Sequence, residues 1–244
     1  HIHDFAEDGR PANHRVLREG EGGIAKLYPV APHIHYAVLN QRDYAFLHNL
    51  GVPPENLHHL PNPVHAPDIS MEDTDQLEIP GDRFHLYPVR AVRRKNLGEL
   101  ALWAALGKDG DFFANSLGPT NPTFEPNYRH WQTLAQELKL PLELGINDRL
   151  GASFPKLVAK ADTLVTTSMA EGFGLAFLEP WVMNKPLVGR NLPEITSDFT
   201  ELGINLGHLY ERLETPFDWL ETTGFKDRLS KALTEFFEQY EKPL

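Results

Sequence analysis

Cysteine is absent from these 244 residues, which rules out a disulfide framework and any thiolate metal site. No uninterrupted apolar stretch approaches the roughly 20 residues that cross a bilayer as a helix. The first residues carry no signal-peptide pattern either, so a cytoplasmic protein is expected. Positive charge is scarce: 23 Lys and Arg stand against 34 Asp and Glu, a formal charge of −11. That balance argues against a surface built to neutralise nucleic-acid phosphates, so any phosphate chemistry must rest on a local basic site.

The length suits one full core and part of a second, at roughly 100 to 200 residues per domain. In the second half, short apolar runs alternate with amphipathic ones, as parallel βαβ units require. Strands are expected at Phe84–Val89, Phe112–Asn115, Thr163–Thr167 and Pro186–Val188, and helices at Asn96–Leu106, Tyr128–Leu138, Lys156–Ala161 and Gly174–Met183. Asn96 with Glu99 three residues on has the spacing of a capping box. The pattern predicts a Rossmann-like doubly wound α/β sheet, whose ligands bind beyond the C-terminal ends of the strands. Residues 1–64 read as the end of another domain, with strands at Ile24–Val30, Tyr36–Leu39 and Leu57–Leu60 and a helix at Arg42–Leu50. Residues 65–80 are the expected linker, in a stretch from Pro61 to Pro80 with four prolines and several acids. Residues 81–244 form the second domain, with closing helix or helices in Leu220–Tyr240.

Two strand-to-helix loops carry chemistry. Arg90 ends a strand and Lys95 sits just before a helix, placing two cations where helix N-terminal amides also point. Such a pair fits a pyrophosphate, although Arg93 and Arg94 alongside also make an ordinary solvated surface a ready explanation. In the second loop, Glu171-Gly172-Phe173-Gly174 leads into a helix and Glu179 follows after seven intervening residues. Glycines there let backbone amides approach a phosphate or sugar. On a continuous helix the two carboxylates would stand about 12 Å apart along the axis, beyond the roughly 5 to 9.5 Å of a glycosidase acid pair. The spacing suits two contacts along one extended ligand.

Together these loops resemble the paired signatures of glycosyltransferase family four (glycosyl transferases group 1), retaining enzymes of the GT-B type. The likeness continues through Ala161-Asp162-Thr163-Leu164-Val165 before Ser168, Lys185-Pro186-Leu187-Val188 and Leu192-Pro193-Glu194-Ile195, and it includes Leu60-Pro61-Asn62-Pro63-Val64. The resemblance implies a nucleotide-sugar donor domain over 81–244 and an incomplete Rossmann-like acceptor domain over 1–64. The glycine-rich loop and first strands of that acceptor domain have no counterpart here. Arg90, Lys95, Gly174 and Leu175 would then hold the donor diphosphate, and Glu171, Gly172, Phe173 and Glu179 the donor sugar and ribose. The N-terminal His1-Ile2-His3-Asp4-Phe5 resembles the family's H-x-H-D-aromatic stretch, by which Asp4 and His3 join Glu171 at the transferred sugar.

The implied reaction is hexosyl transfer with retention, from a UDP- or GDP-linked sugar to a hydroxyl of a small molecule, glycan or lipid. It would use no metal and no cofactor. Pro180, directly after Glu179, departs from the family pattern, because an interior proline removes a helix hydrogen bond. Two other readings compete: a metal-dependent hydrolase that uses the His1-x-His3-Asp4 segment among twelve histidines, and a non-catalytic nucleotide-binding module.

Overall fold

The computed structural model describes residues 1–2, 24–65, 77–219 and 222–239. The chain forms two compact units, His1–Pro61 with Arg212–Leu244, and Asn62–Glu211.

In the first unit, strand β1 (Tyr36–Val38) pairs in parallel with β2 (Leu57–His59), and Ile2 adds a parallel bridge to Val38. Helix α2 (Gln41–Asn49) makes the crossover that parallel pairing requires. It starts at Asn40 because that side chain accepts the Asp43 amide at 2.8 Å, satisfying one orphan donor of the first turn. Tyr28, Val38, Leu47, Val52 and Leu57 close this core. The preceding segment is helical at α1 (Ile24–Leu27) rather than a strand. A short apolar run has no decisive period, and here Tyr28 turns inward edge-on to Tyr36 and Phe46.

The second unit holds five parallel strands in the order β5-β4-β3-β6-β7. They are β3 (Arg83–Arg90), β4 (Asp111–Leu117), β5 (Leu142–Leu144), β6 (Thr163–Thr166) and β7 (Leu187–Gly189). The crossovers are α3 (Leu97–Ala105), α4 (Glu125–Glu137), the short α5 (Ile146–Leu150) and α6 (Phe154–Lys160), and α7 (Leu175–Val182); α8 (Pro193–Glu201) follows β7. Tyr87, Leu97, Leu100, Phe113, Tyr128, Leu144 and Val165 form the core on one face of the sheet. The doubly wound α/β expectation holds. Among the elements it lacked, β5 and α5 span only three and five residues, too few for a period to show.

Two further local expectations are corrected. Asn96 does not close a capping box: it lies in the left-handed region (φ 50°, ψ 61°) and its side chain accepts no helix amide. Its side-chain amide donates instead to Glu99 Oε2 at 2.8 Å, because the Glu99 carboxylate is drawn inward to Arg190. The expected helix at Gly174–Met183 is α7 (Leu175–Val182), so Glu171 lies in the loop before it and Glu179 within it. The tail does not all stay with the second unit. The sheet's last bridge joins Tyr210 to Arg190, and from Arg212 onward, including α9 (Phe225–Gln239), the chain groups with the first unit. Of the expected linker, residues 66–76 lie outside the described residues, and the boundary between units falls at Pro61. Among the described residues no helix is long and apolar enough to cross a membrane.

Candidate donor site

Strand order reverses beside β3, which is followed in sequence by β4 on one side and flanked by β6 on the other. The loops after β3 and β6 therefore diverge from a shared crevice at the C-terminal edge, where open α/β sheets take their ligands. Both sequence-predicted loops fall there.

Pro88 shapes the first loop. It cannot donate to the sheet ladder, and the β3–β4 register shifts between Tyr87 and Arg90. The Val89 carbonyl is taken up by Ser116 Oγ at 3.0 Å and Asn115 Nδ2 at 3.1 Å. Arg90 emerges exposed at the strand end, one guanidinium N–H donating to the Gly118 carbonyl at 3.3 Å. A single turn, Arg93–Lys95, then buries Lys95 to 9% exposure.

The second loop runs along the first. The Met169 amide donates to the Arg94 carbonyl at 2.8 Å, and Thr167 Oγ1 to the Lys95 carbonyl at 2.9 Å. Tyr87, fully buried, shares a 2.5 Å hydrogen bond with Ser168 Oγ, and burial pushes its hydroxyl pKa up. At the meeting point the Lys95 ammonium donates to Glu171 Oε1 across 76 positions of sequence. The cation and the carboxylate that sequence reasoning placed in different loops are thus one ion pair, with little water around either.

Gly174 starts α7 with φ 94°, and a Cβ there would lie 2.7 Å from Ile195 Cγ2. Only glycine meets both demands. Phe173 packs edge-on against Phe199, with ring centroids 5.5 Å apart, and anchors the turn from below. Leu175 is exposed at the first helical position, and Gly172 is partly buried. Glu179 is partly buried, and burial raises its pKa above the ordinary carboxylate value. Among the described residues nothing donates a hydrogen bond to its carboxylate. A carboxylate partly withdrawn from water is disfavoured in its ionised form. Pro180 does not prevent the helix: α7 ends two residues later, at Val182.

His3 and Asp4 lie outside the described residues. His1 shares a 3.0 Å hydrogen bond with the Leu60 carbonyl, and His35 pairs with His58 at 3.0 Å. Glu194 is exposed in the first turn of α8. Among the described residues no three His, Cys, Asp or Glu side chains group as metal ligands would. Sequence reasoning missed Tyr87, Thr167 and Ser168, the polar floor of the crevice, and the buried Glu99 and Arg190. Nothing in their local pattern separates them from core-facing positions. Also missed was a cleft of about 200 Å³ beside the first loop, lined by Val92, Arg93, Leu97, Phe124, Trp131 and Met169 among others.

No protein-family model matches the chain. It is 29% identical over 219 residues to mannosylglucosyl-3-phosphoglycerate synthase of Petrotoga mobilis, an alignment that takes in 82% of this chain and 42% of that enzyme. The chain thus spans less than half the length of this curated relative. Among solved structures, it is similar to Anabaena HepE in complex with UDP-glucose, with a TM-score of 0.63 at 17% identity, covering 96% of this chain and 62% of HepE. It is also similar to sucrose-phosphate synthase of Thermosynechococcus elongatus, with a TM-score of 0.52 at 17% identity over 82% of this chain and 49% of that one. The α/β fold with its parallel sheets is the fold of these GT-B glycosyltransferase structures.

Proposed function

We propose that this chain carries the donor site of a glycosyltransferase of family-four type that moves a hexosyl group, with retention, from a nucleotide diphosphate sugar to a hydroxyl. The observation that carries the proposal is the direct contact of Lys95 with Glu171 at the switch point of the sheet, flanked by Arg90, Gly174 and Glu179. A diphosphate entering this crevice offers Lys95 a more highly charged partner and leaves Glu171 free to accept sugar hydroxyls. Arg90 and Lys95 then neutralise the charge that grows on the leaving diphosphate, a task that needs no metal. Glu179, already partly buried, takes the ribose hydroxyls. In the retaining step the bond from the sugar's anomeric carbon to the diphosphate oxygen breaks, the acceptor oxygen bonds to the same face, and the acceptor proton passes to the departing phosphate. Asp4 and His3 are assigned to the transferred sugar by family resemblance.

The Petrotoga relative makes a mannosylated glucosyl-3-phosphoglycerate, so GDP-mannose with glucosyl-3-phosphoglycerate is the first donor and acceptor pair to test, with UDP-glucose beside it. The site itself is tested by calorimetric titration with UDP, GDP and ADP. One diphosphate is expected to bind, and Arg90→Ala with Lys95→Ala is expected to abolish that binding in a folded protein. A folded wild-type chain that binds none of the three overturns the assignment.

A further inference from the structure

Asn96 follows the diphosphate lysine in a left-handed backbone, φ 50° and ψ 61°, a conformation that non-glycine residues rarely adopt. Asparagine tolerates it better than most, but the chain must still hold it there. The side chain does not accept a backbone amide of the helix, as an N-cap would. It reaches Glu99 Oε2 at 2.8 Å.

Glu99 is 7% exposed in the first turn of α3. An acid at that position serves the helix dipole just as well in solvent, so its burial needs another reason. Its carboxylate is held from three directions. Arg190 donates through Nε to both oxygens at 3.1 Å and through a terminal nitrogen at 2.5 Å. Tyr210 donates at 2.7 Å, its own oxygen held by Trp103 Nε1 at 2.8 Å. Arg190 in turn donates to the Glu211 carbonyl at 2.7 Å and lies over the Tyr210 ring. The end of β7 and the closing segment of the unit therefore aim one carboxylate at one side chain, Asn96. From the other loop, Thr167 Oγ1 lies within hydrogen-bond distance of the Lys95 and Asn96 carbonyls, at 2.9 and 3.2 Å.

We propose that Glu99 is a positioning residue for donor binding: braced by Arg190 and Tyr210, it clamps Asn96 in the left-handed conformation that turns Lys95 toward Glu171 and the crevice. The inference rests on the proposed donor site. Glu99 touches no substrate, and its charge is balanced by Arg190, so its effect on a diphosphate passes through backbone geometry.

The test is a double-mutant cycle of Glu99→Gln and Asn96→Gly in the full chain, read by titration with the diphosphate that the wild type binds. Amide hydrogen exchange over residues 92–98 of the free protein is the second readout. Glu99→Gln is expected to weaken binding about tenfold and to speed exchange in that segment above the rest of the unit. Glycine adopts the left-handed backbone without a clamp, so in the Asn96→Gly background the same change is expected to cost less than threefold. If Glu99→Gln does not fold, Asn96→Ala, which leaves Arg190 and Tyr210 on Glu99, is expected to show the tenfold loss that Asn96→Gly largely avoids. Wild-type affinity in Glu99→Gln, or in Asn96→Ala, with at most a uniform loss of protection, reduces the network to a structural role and overturns the proposal. A wild-type chain that binds no diphosphate overturns the donor site itself, and this inference with it.

Discussion

Lys95 and Glu171 are each about one-tenth exposed and satisfy one another. Glu179 is the opposite case, partly buried and with no donor to its carboxylate among the described residues. Its pKa is raised by burial, so the folded state penalises the ionised form. That penalty is complete above the folded pKa and disappears below the unfolded value, about 4. Glu179→Gln is therefore expected to raise the melting temperature at pH 7 to 8, with the gain vanishing near pH 4, while nucleotide-sugar binding weakens. Thermal melts across pH check the first part and titration the second. An unchanged melting temperature at neutral pH would mean that the carboxylate has found a partner in solution. The motif residues were legible in the sequence because their chemistry depends on residue type and spacing. Their pairing was not, because Lys95 and Glu171 meet only once two separate loops are folded onto one sheet edge.

At the scale of elements, the turn into α7 depends on Gly174. Substitution by alanine combines a disfavoured left-handed backbone with a Cβ driven into Ile195, at a combined cost of about 2–4 kcal/mol. Urea unfolding should show the midpoint of Gly174→Ala falling with an unchanged slope, and a cost under about 0.5 kcal/mol would show that the turn relaxes freely. Strands β3, β4, β6 and β7 were foreseen to within two residues at either end, since buried parallel strands read as apolar runs bounded by turn residues. The helix at Ile24–Leu27 was foreseen as a strand because four apolar-rich residues fit either period. The capping box at Asn96 and Glu99 fitted its spacing rule and still did not form. The rule assumes a solvated glutamate, and a distant arginine had a stronger claim on this one.

At the scale of the whole molecule, every described site residue belongs to Asn62–Glu211. That unit has its own five-stranded sheet and core. Residues Asn62–Glu211 expressed alone are expected to bind the same diphosphate as the full chain, at an affinity within about threefold, since few interactions cross a domain boundary. Calorimetry on the fragment checks this, and a folded fragment that does not bind would place essential donor contacts elsewhere in the chain. The apolar periodicities of the second half, with glycines and prolines between them, determined by themselves that this protein builds a parallel α/β sheet and which loops follow the C-terminal ends of its strands. Those are local properties of residue type and order. The tertiary structure alone decided that Lys95 rests on Glu171, that Glu99 turns inward to Arg190, and that the chain from Arg212 leaves the sheet that precedes it. Each of these depends on which segments share a sheet edge or a core, and such contacts join residues dozens of positions apart that no local pattern links.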